Sequence, residues 1–190
     1  MILLVPVSLD TAKQTVRDWH SHHDPMIGHM WSTGAVVDGD LVGVVVVSRP
    51  IAPANQDGFT LEVTRLCCRG KEHGDGGQSD KNVASRLLGA ATAACEARGF
   101  RFVLSYTRID EPGICYRAAG WVAAPKIVKA RDWTSGNKAT RWLPGFYEPT
   151  TEKIDRVRWE WRPPQAIRAV CRCVFAMGQW ARAQKRRRAA

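Results

Sequence analysis

The stretch from Met30 to Ser48, "MWSTGAVVDGDLVGVVVVS", constrains the fold more than any other. Two runs rich in β-branched residues flank Asp38-Gly39. That dipeptide accepts the positive φ angles a two-residue hairpin turn demands, so the stretch predicts an antiparallel hairpin. "MILLVPV" before it reads as a strand rather than a signal peptide, because it lacks a basic leader and a small-residue cleavage site. Between them Ser8 can cap a helix over about residues 9–22, with Leu9, Ala12, Val16 and Trp19 on one face.

Downstream of the hairpin lie the proline-rich loop "SRPIAPANQDGF" and the strand "TLEVTRLCC". Strict alternation along that strand puts Glu62 and Thr64 on one face, Val63 and Arg65 on the other. A polar, glycine-rich loop leads into the helix "NVASRLLGAATAACEARG", which Gly99 stops. "FRFVLSYT" is a strand, "GICYRAAG" a short helix, "WVAAPKIV" a strand, residues 130–152 a long irregular loop and "DRVRWEWRP" a closing strand. Strands interleaved with helices in this order predict one α/β (α+β) domain over residues 1–162. Pro163-Pro164 marks a boundary, and residues 163–190 carry a basic amphipathic tail helix with Ile167, Val170, Val174, Met177 and Ala181 on one side.

The 190 residues carry a formal charge of +10, unevenly placed. After Arg162 come seven basic residues and no acidic one, so a polyanion, nucleic acid or a membrane surface, is an expected partner. No apolar run reaches the roughly 18 residues a membrane span needs. The six cysteines lack zinc-finger spacing, and a chain long enough for a real core needs no disulfide scaffold. They read as reduced thiols of a cytoplasmic protein.

The order of elements, the "YRAAGW" ending of the short helix at Tyr116–Trp121, and the strand–loop–helix at residues 60–98 together resemble the GNAT acyltransferase superfamily. The resemblance covers about residues 1–162 and implies a mixed sheet of about six to seven strands with flanking helices. In that family the long helix opens with Q/R-x-x-G-x-G/A, whose backbone N–H groups hold the coenzyme A pyrophosphate. Here Ser79, Asp80, Lys81, Asn82, Val83 and Ala84 stand at those places, with Ser85 next. Ser79 replaces Gln or Arg, and Asn82 replaces a glycine. Asn tolerates a left-handed backbone better than most residues, and a helix N-terminus attracts anions through its free N–H groups. The resemblance thus implies acetyl-CoA or another acyl-CoA as cofactor.

"SYTRIDEPGICYRAAGW" is similar, through Ser105, Tyr106, Gly113, Tyr116, Ala118 and Trp121, to phage Mom-like DNA-modification proteins and related small phage and prophage proteins. The acid those proteins usually carry after the tyrosine is absent; Thr107 and Arg108 stand there. This resemblance implies acyl or related transfer to an exocyclic base amine in DNA. Two other readings stay open: acetylation of a small-molecule or protein amine, and a non-catalytic nucleic-acid-binding module on the same fold.

Acyl transfer to an amine needs a base, oxyanion donors and an acid for the leaving thiolate. Tyr116 stands where the family often places its general acid. Glu62, a carboxylate in an apolar strand, stands where some members place a base, and Arg65 is a second charge in the same strand. "WHSHHDPMIGHMW" concentrates His20, His22, His23 and His29. In this fold the loop after the first helix walls the acceptor pocket, which makes His23 a candidate base and His22 and His29 substrate contacts. A metal site and incidental surface remain alternatives. Ser105 and Tyr106 are further substrate contacts. Trp133 and Trp142, among Lys129, Arg131, Lys138 and Arg141, suit stacking and phosphate contact with nucleic acid.

Overall fold

The computed structural model describes residues 1–19, 28–69, 82–129 and 154–163. Its elements run β1 (Ile2–Val7), α1 (Leu9–Trp19), β2 (Trp31–Val37), β3 (Asp40–Ser48), β4 (Thr60–Cys68), α2 (Val83–Ala97), β5 (Phe102–Arg108), α3 (Ile114–Ala118), β6 (Val122–Ala123) and β7 (Arg156–Trp161). The seven strands form one sheet in the order β1-β2-β3-β4-β5-β7-β6. All neighbours are antiparallel except β4 and β5, which are parallel with α2 as their crossover. The expected mixed sheet is therefore present.

The local signals behave as their chemistry requires. Asp38 and Gly39 adopt φ of 52° and 95°, closing the β2–β3 hairpin. The Ser8 hydroxyl accepts the Thr11 N–H at 3.0 Å, capping α1. The expected helix to residue 22 is described as far as Trp19; its remainder lies outside the described residues. Gly99 ends α2 at φ 81°. The strand expected over residues 121–128 is shorter than the sequence suggests. Only Val122–Ala123 pair with β7, and one further bridge joins Val128 to Arg156. Pro125 lies between the two, and it has no N–H to give to a ladder.

Each face of the central strands is covered. On one, Val45, Val47, Leu61, Val63 and Val103 pack against Leu87, Leu88 and Ala91 of α2. On the other, Val44, Val46 and Cys67 pack against Ala12 and Val16 of α1. Gly43 lets α2 approach β3: a Cβ there would press on Val83 and Leu87.

One irregularity decides where the site sits. The β3–β4 register passes from Val46↔Arg65 to Val47↔Val63, so Thr64 is an extra, bulged residue. The bulge reverses the alternation. Val63 and Leu66 share the α2 face, while Glu62, Arg65 and Cys67 share the α1 face. Strict alternation had parted Glu62 from Arg65; the bulge brings them together.

Candidate active site between two parting strands

β4 and β5 pair over four positions only, Thr60↔Phe102 to Val63↔Ser105. Beyond them, Arg65–Cys68 pair with β3 alone, and Tyr106–Arg108 with β7 alone. Parting begins where the bulge turns β4, as bulges beside sites commonly do. The gap is a cleft of about 440 Å³ lined from both strands and from α3. Backbone groups along its β4 wall have no strand partner there, and the buried Thr64 hydroxyl has no partner among the described residues.

At the apex stands Tyr116. Its hydroxyl is 2.8 Å from Ser105 Oγ, and Ser105 Oγ–H donates to the Val63 carbonyl at 2.9 Å. Ser105 has one proton and spends it on Val63, so the Tyr116 O–H donates to Ser105. The ring stacks on Trp159 at 5.2 Å and meets Trp121 edge-on at 5.4 Å. Trp159 Nε1–H donates to Thr107 Oγ1 at 3.0 Å, which fixes the stacking partner. Burial pushes the Tyr116 phenol well above its ordinary pKa, with Ser105 opposing. The phenol therefore keeps its proton at neutral pH. Gly113 starts α3 at φ 60°, and a Cβ there would collide with the Trp159 ring. The left-handed glycine is what lets α3 close on Trp159.

On the α1 face lies Glu62, 4% exposed. Its carboxylate accepts the Ile51 N–H at 2.9 Å. Burial raises its pKa above the ordinary 4.5; the Ile51 bond and the charges of Arg65, Arg156 and Arg158 pull the other way. Tyr106 shares that face. Its hydroxyl accepts from Asn55 Nδ2 at 3.4 Å, and burial and the Glu62 charge raise its pKa while Arg158 lowers it.

The mouth of the cleft reaches the start of α2. A second hollow of about 290 Å³, between Asn82–Ser85 and α3, shares Cys68, Ala84, Ile114 and Cys115 with the first. Asn82 adopts φ 66°, ψ 8°, the left-handed conformation expected of the residue at a glycine's place. Its side chain does not cap the helix, and the first turn carries no acid. The N–H groups of Val83, Ala84 and Ser85 thus open on the hollow without an intrahelical partner.

The structure brings together Arg65, Ser105, Tyr106 and Tyr116 in the lining of the cleft and Asn82, Val83, Ala84 and Ser85 at its mouth; Glu62 lies buried on the α1 face, on the Ile51 N–H, and is not part of that lining. It parts Ser105 from Tyr106: Ser105 turns inward to Tyr116, and only Tyr106 faces Glu62. His29 Nε2 lies 2.7 Å from Ser32 Oγ and does not line the cleft. His22, His23, Ser79, Lys81, Trp133, Trp142 and the tail from residue 164 lie outside the described residues. Sequence reasoning missed Arg156 and Arg158. Their signal was the alternation of "RVRWEW", which puts both arginines and Glu160 opposite the Trp159 face.

No protein-family profile and no curated protein matches the chain. Solved structures do. An IAA acetyltransferase from Bacillus cereus superposes with a TM-score of 0.56 at 14% identity, over 86% of this chain and 100% of that one. The ribosomal-protein-S18-alanine N-acetyltransferase of Escherichia coli gives 0.55 at 11%, over 85% and 94%. A GNAT family acetyltransferase from Elizabethkingia anophelis with acetyl-CoA bound gives 0.52 at 15%, over 85% and 98%. The seven-stranded sheet that parts between β4 and β5 is thus the fold of the GNAT acetyltransferases.

Proposed function

We propose that this chain is an N-acyltransferase that takes its group from acetyl-CoA or another acyl-CoA and passes it to an amine, the exocyclic amine of a base in DNA. The observation that carries the reading is the cleft with Tyr116 at its apex, an open strand edge along one wall and a helix start at its mouth.

The residues present fit such a cofactor. The free N–H groups of Val83, Ala84 and Ser85 beside left-handed Asn82 suit a pyrophosphate. The unpaired β4 edge at Thr64–Cys68 suits an extended, amide-bearing arm, which hydrogen-bonds as an added strand does. When bound, acyl-CoA supplies an activated thioester. Turning its O–H from Ser105 toward the cleft, Tyr116 offers a proton where the strands part. Glu62, its basicity raised by burial, takes a proton from the amine, directly or through water.

The base-amine acceptor is supported by the charge of +10, by the basic tail and by the pattern from Ser105 to Trp121. Duplex DNA incubated with the full-length protein and labelled acetyl-CoA, then digested for nucleoside mass spectrometry, tests it. An acylated nucleoside is expected. Coenzyme A binding with no label on any nucleoside would replace the base by another amine, and absence of binding at millimolar coenzyme A would remove the acyl-CoA reading itself.

A further inference from the structure

Glu62 does not itself reach the cleft. It lies before the point where β4 and β5 part, paired with Leu104, and it is not in the lining. Tyr106 joins the two. It stands two residues beyond Leu104 on β5, so the pleat puts its side chain on the face that carries Glu62. Diagonal neighbours on one face of adjacent strands are within reach of an aromatic side chain. Tyr106 also lies past the parting, pairs with β7 alone and lines the cleft.

Both residues keep hydrogen-bonding capacity in hand. Glu62 accepts the Ile51 N–H on one carboxylate oxygen at 2.9 Å, and no donor reaches the other among the described residues. The Tyr106 oxygen accepts from Asn55 Nδ2 at 3.4 Å, and a bond that long is weak. The proton of Tyr106 has no acceptor among the described residues. The charged groups around the pair are Arg65 of β4 and Arg156, Arg158 and Glu160 of β7. Burial raises the Tyr106 phenol above its ordinary pKa; Arg158 lowers it, Glu62 raises it, Asn55 lowers it and Glu160 raises it. A phenol that holds its proton this firmly is no base by itself at neutral pH. It accepts a proton only while it gives up its own.

We infer that Tyr106 carries the acceptor's proton from the cleft to Glu62. As the amine nitrogen bonds to the acyl carbon, its proton passes to the Tyr106 oxygen, and the Tyr106 proton passes to the Glu62 carboxylate, directly or over one water. Glu62 ends protonated, and Tyr106 ends as it began. The C–S bonding pair leaves with the thiolate, which takes the Tyr116 proton. Between turnovers Glu62 loses its proton to solvent by the same route, and Tyr116 regains one from solvent. The route rests on the acyltransferase reading; the pairing of Tyr106 with Glu62 does not.

Two measurements on the full-length protein test this. In the first, tyrosine is isotope-labelled at Cζ for NMR, and the Tyr106 signal, one of three, is identified by its loss in Tyr106→Phe. That signal is expected to move as Glu62 titrates, above the ordinary 4.5, and to stay in place in Glu62→Gln. A signal that stays in place in wild type, or moves equally in both proteins, would overturn the inference whatever the rates are. In the second, kcat is measured with duplex DNA and labelled acetyl-CoA for wild type, Tyr106→Phe, Glu62→Gln and the double variant. Tyr106→Phe is expected to lose on the order of 10²–10⁴ in kcat while coenzyme A affinity holds. The double variant is expected to be no slower than the slower single one, because groups that act as a unit are not additive. Wild-type kcat in Tyr106→Phe, or losses that multiply in the double variant, would overturn the relay. Coupled signals in a protein that transfers no label would uphold the pairing and overturn the reading of its reaction.

Discussion

The Tyr116 hydroxyl stands 2.8 Å from Ser105 Oγ at the last position where β4 and β5 pair, since Ser105 is the partner of Val63. One hydroxyl thus fixes both the carbonyl of β4 and the phenol of α3 at the apex of the cleft. Tyr116→Phe removes the phenol's proton and keeps the stacking on Trp159. It should fold normally and lose on the order of 10²–10⁴ in acyl-transfer rate, the range for one acid–base group. Full turnover by this variant in a steady-state assay would reduce Tyr116 to packing.

Ser105→Ala makes the complementary test. The Val63 carbonyl and the buried phenol both lose their partner, and an unsatisfied buried group costs about 1–3 kcal/mol. Chemical denaturation should show a loss of that size, larger than for Tyr116→Phe. Equal losses would mean that the chain of bonds does not hold the apex.

Glu62 gives a pH prediction of definite sign. Its folded pKa is raised above 4.5, so above that value the unfolded chain has released a proton that the folded chain still holds. Stability therefore falls as pH rises from about 4.5 through the folded pKa. Glu62→Gln keeps an acceptor for the Ile51 N–H without the charge. It should match wild type in melting temperature below pH 4.5 and exceed it at neutral pH, while losing the acidic limb of the rate profile. A variant less stable than wild type at pH 7 would mean that the arginines outweigh burial.

At the mouth of the cleft the backbone of Asn82 is left-handed. Glycine accepts that conformation freely; a β-branched residue does so at about 1–3 kcal/mol. Asn82→Gly should keep coenzyme A binding, and Asn82→Val should lower both stability and affinity. Equal coenzyme A affinities in calorimetry would move the pyrophosphate elsewhere.

The tail of residues 165–190 is expected to act by neutralising backbone phosphates. Its deletion should flatten the dependence of log affinity on log salt for duplex DNA, by roughly 0.9 in slope for each phosphate the tail neutralises. An unchanged slope would pass the role to the loop of Trp133 and Trp142.

What this sequence determined by itself is local. The Asp38-Gly39 turn, the Ser8 cap, left-handed Asn82 and the stop at Gly99 each depend on the conformational range of one or two residues, which neighbours in sequence suffice to specify. The element order followed from these, and with it the expectation of a mixed sheet; Tyr116 and Glu62 were expected at the site from the resemblance to a known family. Tertiary structure decided the rest. Thr64 bulges only because β3 pairs on both sides of it, and no periodicity within β4 reveals the reversal that puts Arg65 beside Glu62. Arg156 and Arg158 lie more than ninety residues after Glu62, and only the antiparallel placing of β7 beside β5 brings them to it. Ser105 and Tyr106 are neighbours in the chain, yet the pleat sends one to Tyr116 and the other to the face of Glu62. A strand's period fixes which residues oppose each other; the partner strand and its register decide what each of them meets.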